Sequence, residues 1–347
     1  MGDHHLASRV ALPRLLHSSL VPSFCRHNRL IHNCPICAED DPNLAFQGKS
    51  RSKAKGASPS QTTPRVPRAA RAPSRARASV KVQQLERAAD DGYHCGLAIG
   101  VRSTADAQRL AHEIALASGR LAQLATDPPG LYLEVATSTD IEEATWLAFL
   151  IAYLSPLDVG DPFEAISGAR VTWASGDIPS LETIATGPRS AHDPARGSQT
   201  IEAYRAWAQR SGSQAQAFAG EEAWTPGRRF SRVFERLALP GFHRAARYDL
   251  LVSLGRLGRY EMRGETLILG GADDDTTAAA KRIFGIGDTT LLERRSAELA
   301  SEADVAIEAL DLAIANWGRG GQRVTLGVSE SALDQNALAS ALSALGL

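Results

Sequence analysis

The chain of 347 residues has no apolar run of the roughly 18 residues that a membrane-spanning helix needs. Its leader from Leu6 to Phe24 is interrupted by Arg9, Pro13, Arg14 and His17. That pattern excludes a secretory signal, and a cytoplasmic protein with no membrane partner is expected, although the nearly acid-free leader superficially resembles an organellar transit peptide. Cysteine is scarce: Cys25, Cys34 and Cys37 cluster and Cys95 stands alone, which is no disulfide framework and points to a reducing compartment. Lysine is almost missing from the body of the chain, where Lys281 is the only one after Lys81. There is no internal repeat of fixed period, and no His-x-Glu pair of the kind a zinc deaminase uses.

Large apolar side chains are few up to about Val82, where Pro, Ser, Ala and Arg dominate. Such a segment buries too little surface to offset its ordering entropy, so residues 38–82 are expected to be a disordered basic linker. The near-neutral net charge of −1 conceals an asymmetry: residues 1–85 carry 14 Lys/Arg against 4 Asp/Glu, leaving 24 basic and 35 acidic residues beyond. A basic arm on an acidic body suits a polyanion such as DNA or RNA. The alternative is a solvated linker, which the absence of aromatic residues between Ser50 and Val82 favours. Within residues 1–37, Cys34-Pro-Ile-Cys37 forms half of a zinc site, which Cys25 and either His27 or His32 complete. The implied cofactor is structural zinc, and no organic cofactor is expected.

From about residue 83 to 321 the pattern predicts a mainly α domain, followed by a C-terminal tail over 322–347. Tyr93 to Val101 reads as one extended segment. Helices are predicted over Thr104–Ala125, Ile141–Leu154, Thr200–Arg210, Arg229–Ala238, Ala245–Leu257, Ala278–Phe284, Thr289–Ala300 and Glu308–Trp317. Ile141–Leu154 is apolar nearly all round, the mark of a central buried helix ending at Ser155-Pro156. Between the sixth and seventh of these helices lies Gly285-Ile286-Gly287, with Asp288 or Thr289 as the next N-cap. Glycines in such a turn supply positive φ and let a phosphate approach the backbone, whose N–H groups and following helix end attract it. A plain helix–helix turn with a glycine cap is the alternative. Ile286 plugging the core, and the isolated Lys281, favour phosphate binding.

With that turn in place, the C-terminal half resembles the helix-hairpin-helix DNA glycosylases, in which an acidic residue on a later helix faces a flipped base. The resemblance implies a helix-hairpin-helix DNA-glycosylase-like helical domain and makes Asp311 the acidic candidate. No lysine stands after the hairpin where the lyase branch has its nucleophile. A closer likeness covers Tyr93 to Gly318, through Trp146-Leu-Ala-Phe-Leu-Ile-Ala-Tyr-Leu-Ser-Pro156, Gly187-Pro-Arg-Ser-Ala-His-Asp193, Phe234-Glu-Arg-Leu-Ala-Leu-Pro-Gly-Phe242 and Arg247-Tyr-Asp-Leu-Leu251. These segments resemble the third clade of the alpha-glutamyl/putrescinyl thymine pyrophosphorylases. The resemblance implies an enzyme of DNA base hypermodification, in which an amine such as glutamate or putrescine displaces pyrophosphate from an activated 5-hydroxymethyluracil. Its implied partners are DNA, a small amine and an upstream base kinase.

Such chemistry needs donors for pyrophosphate, and Arg189, Arg196, Arg228 and Arg229 are the candidates because guanidinium forks meet phosphate oxygens in pairs. It also needs a base. His192, with Asp193, lies in a loop rich in Gly, Pro and Ser and can serve, or the two can form a turn that caps a helix. Asp249 is a further candidate carboxylate, with capping its own helix or pairing with Arg247 as the alternative. An N-glycosylase using Asp311 and a non-enzymatic DNA-binding module are the rival functions.

Overall fold

A computed structural model of the chain describes residues 88–271, 274–321 and 323–347. The Cys25, His27, Cys34 and Cys37 knot and the 38–82 linker lie outside the described residues. Among those described there are twelve α-helices, one short 3-10 turn and no strand. The mainly α expectation therefore holds. The segment around Tyr93 is not a strand; it folds into turns, with Ala98 N–H donating to Cys95 and Val101 N–H to Ala98.

Local chemistry fixes most helix starts. In α1 (Thr104–Thr126) Ser103 accepts from the Asp106 N–H, and in α3 (Ile141–Leu154) Asp140 accepts from Glu142 and Glu143. Between them lies the short α2 (Leu131–Thr137). Every residue of α3 from Ala144 to Leu154 is buried. Its Phe149 ring lies 3.8 Å from Tyr204 in α5 (Gly197–Arg210), and Trp146, Tyr153 and Phe242 extend the aromatic cluster. Around it come α4 (Glu164–Ala169), α6 (Gln214–Ala219), α7 (Pro226–Arg236) and α8 (Arg244–Arg256), with α3 packed on α2, α4, α6 and α8.

The second group of helices is α9 (Asp275–Phe284), α10 (Thr289–Glu302), α11 (Ile307–Arg319) and α12 (Gln335–Ala344). α11 is the centre, buried from Glu308 through Trp317 and packed on α1, α9 and α10. α8 also touches α1, which joins the two groups.

The stretch expected to be a tail is part of this packing. α12 lies against α1, Asp334 N–H donates to the Ala115 carbonyl, and Ala341 and Leu345 are fully buried. Its small side chains, chiefly Ala and Ser, hid the helix from a reading based on large apolar residues. Gly119 of α1 lets it dock: a Cβ there would stand 1.5 Å from the Ala332 carbonyl oxygen. Gly119→Ala is expected to lower stability by about 1–3 kcal/mol, the usual cost of overpacking. A urea midpoint equal to that of the unmodified chain would contradict this docking.

Candidate functional site

Asp311 sits in the second turn of α11 and is 1% exposed. A lone carboxylate at that depth is strongly disfavoured, so its partners decide its state. Arg189 Nη2 donates to Oδ1 at 2.7 Å, and Arg244 Nη2 forms an ion pair with Oδ2 at 2.5 Å. Arg189 also makes a forked pair with Asp249, Nε to Oδ2 at 2.7 Å and Nη2 to Oδ1 at 3.1 Å. Arg244 faces Asp274 at 3.8 Å, and its Nε and Nη2 donate to the Ile268 and Leu267 carbonyls. Burial pushes the Asp311 carboxyl up, but Arg244 and then Arg189 outweigh it and hold the pKa below the usual 3.8. Arg244 stays charged for the converse reason: burial opposes its charge, and Asp311 and Asp274 restore it.

Three separate segments converge here. Arg189 comes from the loop before α5, Arg244 and Asp249 from α8, and Asp311 from α11. The carbonyls holding Arg244 are themselves fixed from α10, whose Glu293 accepts from the Leu267 and Leu269 N–H groups at 2.8 and 2.5 Å. Over the network opens a cleft of about 580 Å³, lined by Arg189, His243, Arg244, Asp274, Thr276 and Arg319 among others. Three buried polar atoms of cleft-lining residues lack a hydrogen-bond partner: Arg244 Nη1, Thr276 Oγ1 and Arg319 Nε. Such atoms are rare in native interiors and mark places where a ligand or water completes the network.

The other end of α9 carries the glycine turn. Gly285 closes that helix in the left-handed region at φ 67°, and Asp288 caps α10 by accepting from Leu291 at 3.0 Å. Ile286 is half-buried against the core, as expected. Gly287 differs from expectation: its φ lies outside the left-handed region, and a Cβ there would meet nothing within 4 Å. Neither a positive φ nor crowding within the fold requires glycine at 287. An open groove of about 650 Å³ runs over the turn, lined by Gly100, Arg102, Lys281, Gly285, Ile286 and Gly287 among others. Its second wall went unrecognised in the sequence. Gly100 N–H donates to the Ile283 carbonyl at 2.8 Å, and a Cβ at 100 would stand 1.9 Å from the Arg282 carbonyl oxygen.

The remaining expected residues are elsewhere or differently engaged. His192 spends both ring nitrogens, Nε2 with the Leu181 carbonyl at 2.9 Å and Nδ1 with the Tyr153 hydroxyl at 3.1 Å, which leaves it no lone pair for a substrate. Asp193 is exposed and accepts from Ala195 N–H in a local turn. Arg229 is structural, donating to the carbonyls of Ala219, Glu261 and Trp224. Arg228 is exposed beside Trp224, and Arg196 is exposed at the start of α5. Of the four arginines expected to hold pyrophosphate, only Arg189 reaches the cleft. Asp249 neither caps α8 nor pairs with Arg247, which instead donates to the Phe234 carbonyl at 3.1 Å. Among the described residues no cluster of His, Cys, Asp and Glu is suited to a metal, and no helix is long and apolar enough to cross a membrane.

Comparison with protein-family models, with curated proteins and with solved structures finds no match for the chain.

Removing the charge of Asp311 leaves two buried guanidinium groups short of a partner, so Asp311→Asn is expected to cost about 3–5 kcal/mol in stability. The pH dependence has a definite sign. A carboxyl whose folded pKa is depressed contributes stability above its unfolded value of 3.8 and loses it as pH falls through the folded value. Urea midpoints followed downward from pH 6 should therefore fall below about pH 4 in the unmodified chain and more shallowly in Asp311→Asn. Parallel acid limbs would place the loss on other carboxylates.

Proposed function

We propose that this chain is a DNA-base-modifying enzyme that grips the DNA backbone at the Gly285-Ile286-Gly287 turn and does its chemistry in the cleft over Asp311. The observation that carries this reading is α9. Ten residues at about 1.5 Å each make a rigid spacer of roughly 15 Å with the glycine turn at its C-terminal end and the cleft at its N-terminal end. An enzyme that extrudes a base needs this pairing of a fixed backbone grip and a separate recess.

The reaction class follows from the resemblance: an amine displaces pyrophosphate from an activated 5-hydroxymethyluracil that stays in the DNA. The cleft's charges suit the two partners. Asp274 and Asp275 line the same recess as Arg244 and Arg319, so an ammonium and a phosphate oxygen each find opposite charge. Arg319 is the more available donor, since its carboxylate partner Asp275 is largely exposed at 3.2 Å. The N-glycosylase reading is less well served. Stabilising a cationic sugar calls for a carboxylate open to it, whereas Asp311 is enclosed by two guanidinium groups. A structural zinc at the Cys25, His27, Cys34 and Cys37 knot remains part of the proposal, as a support for the N-terminal region.

Two measurements test this. A duplex carrying one 5-(pyrophosphoryloxymethyl)uracil, incubated with putrescine or glutamate, should give an aminated base in intact DNA together with pyrophosphate. Release of a free base would select the glycosylase reading. For the grip, Gly287→Val should weaken duplex binding regardless of sequence, and Gly287→Ala should leave the urea midpoint unchanged because a Cβ there meets nothing within 4 Å. Lys281→Ala should reduce the slope of log affinity against log salt by about 0.9, the value for one phosphate contact. An unchanged slope together with tight binding by Gly287→Val would move the DNA site elsewhere.

A further inference from the structure

We infer that His243, not His192, is the general base of the cleft; this rests on the amine-displacement reading above. His243 stands immediately before α8, is exposed, and lines the cleft beside Arg244. Its Nε2 lies 3.0 Å from the Ser190 carbonyl oxygen. A carbonyl only accepts, so Nε2 carries the hydrogen and the lone pair of the neutral ring is on Nδ1. Nδ1 has no partner among the described residues, in contrast to His192, both of whose nitrogens are engaged. The same cleft presents Arg244 Nη1, which faces Asp274 at 3.8 Å, and Thr276 Oγ1, two buried groups that a ligand atom or a water would complete. An anchoring pair and a free basic nitrogen therefore share one recess. The Ser190 contact fixes the ring tautomer, as a backbone carbonyl does behind many functional histidines.

The step balances as follows. The amine arrives as its ammonium ion and gives one proton to Nδ1, making the ring an imidazolium. The freed nitrogen lone pair forms the C–N bond to the 5-methylene carbon. The C–O bond of the activated base breaks, its electron pair departs on pyrophosphate, and the product is a protonated secondary amine. His243 then returns its proton to solvent.

The test is single-turnover kinetics on the 5-(pyrophosphoryloxymethyl)uracil duplex at saturating protein, with putrescine and glutamate in separate reactions. His243→Gln retains an N–H that can reach the Ser190 carbonyl but has no basic nitrogen. It should lose about 100-fold or more in rate while DNA affinity and urea midpoint hold. His243→Ala should fall similarly and regain rate with added imidazole, which a purely structural role would not allow. If the unmodified chain converts the duplex and His243→Gln keeps the same rate, the assignment of His243 is overturned and the reaction reading stands. If the unmodified chain converts neither amine, the reading and the assignment fall together.

Discussion

The ion chain Asp249–Arg189–Asp311–Arg244 is the constraint on which the rest of this domain depends. Desolvating charges costs several kcal/mol per ion, and the cost is recovered only where geometry is good and remaining donors are satisfied. Here the charges come from groups far apart in the sequence: a loop at 189, the first and second turns of α8, and the second turn of α11. Any slip of α11 against α8 would strand a buried charge. The network therefore ties the register of the two helices, where apolar packing alone would tolerate exchange of similar volumes. One turn earlier on α11 the device recurs, with Glu308 paired to Arg256 and accepting from the Gly264 N–H at 2.6 Å. Two carboxylates three residues apart lie on one helical face, so both pull α11 toward α8 and the loop that follows it.

That tethering explains where the cleft is. The loop over 267–269 must offer carbonyls to Arg244, and Glu293 from α10 holds the loop's N–H groups on its other side. The chain then turns into α9 at Asp274, whose Oδ2 accepts from the Thr277 N–H at 2.8 Å and its hydroxyl at 2.6 Å. The N-terminus of α9 is thus set beside Arg244, with His243 across the opening. The recess is a product of the buried ion pairs.

How much of this was legible in the sequence depended on range. Helices with a capping side chain and more than two turns of periodic apolar residues, such as α1 behind Ser103 and α3 behind Asp140, could be read within a few residues of their ends. The short α2, α4 and α6 could not, because six or seven residues hold too little of a period to register. Asp311, Asp249 and Arg189 each stood out singly as a charge in an apolar or glycine-rich setting. That they meet was invisible, since the bonds span 60 and 122 positions. The local partner Arg247 looked the better match for Asp249, but two residues apart on a helix do not face each other. Arg244, His243 and Thr276 carried no pattern of their own; only their convergence on one recess distinguishes them.

The two ends of α9 also show why charge type is divided as it is. A helix carries partial positive charge at its start and negative charge at its end. Asp274 and Asp275 sit at the start of α9, with Lys281 and Arg282 in its last turn, so each end is complemented for stability alone. Lys281 thus has a structural reason to be basic whatever binds near it. The same arrangement divides charge between the two recesses. The cleft at the start of α9 mixes Asp274 and Asp275 with Arg189, Arg244 and Arg319, whereas the groove at its end sets Lys281, Arg102 and Arg282 against Asp90 alone. On the proposed reading, a DNA backbone held at the groove lies one spacer of about 15 Å from this mixed-charge cleft. On that reading an extruded base bearing an activated group reaches the end where Arg244 and Arg319 face its phosphates and Asp274 and Asp275 face the incoming ammonium.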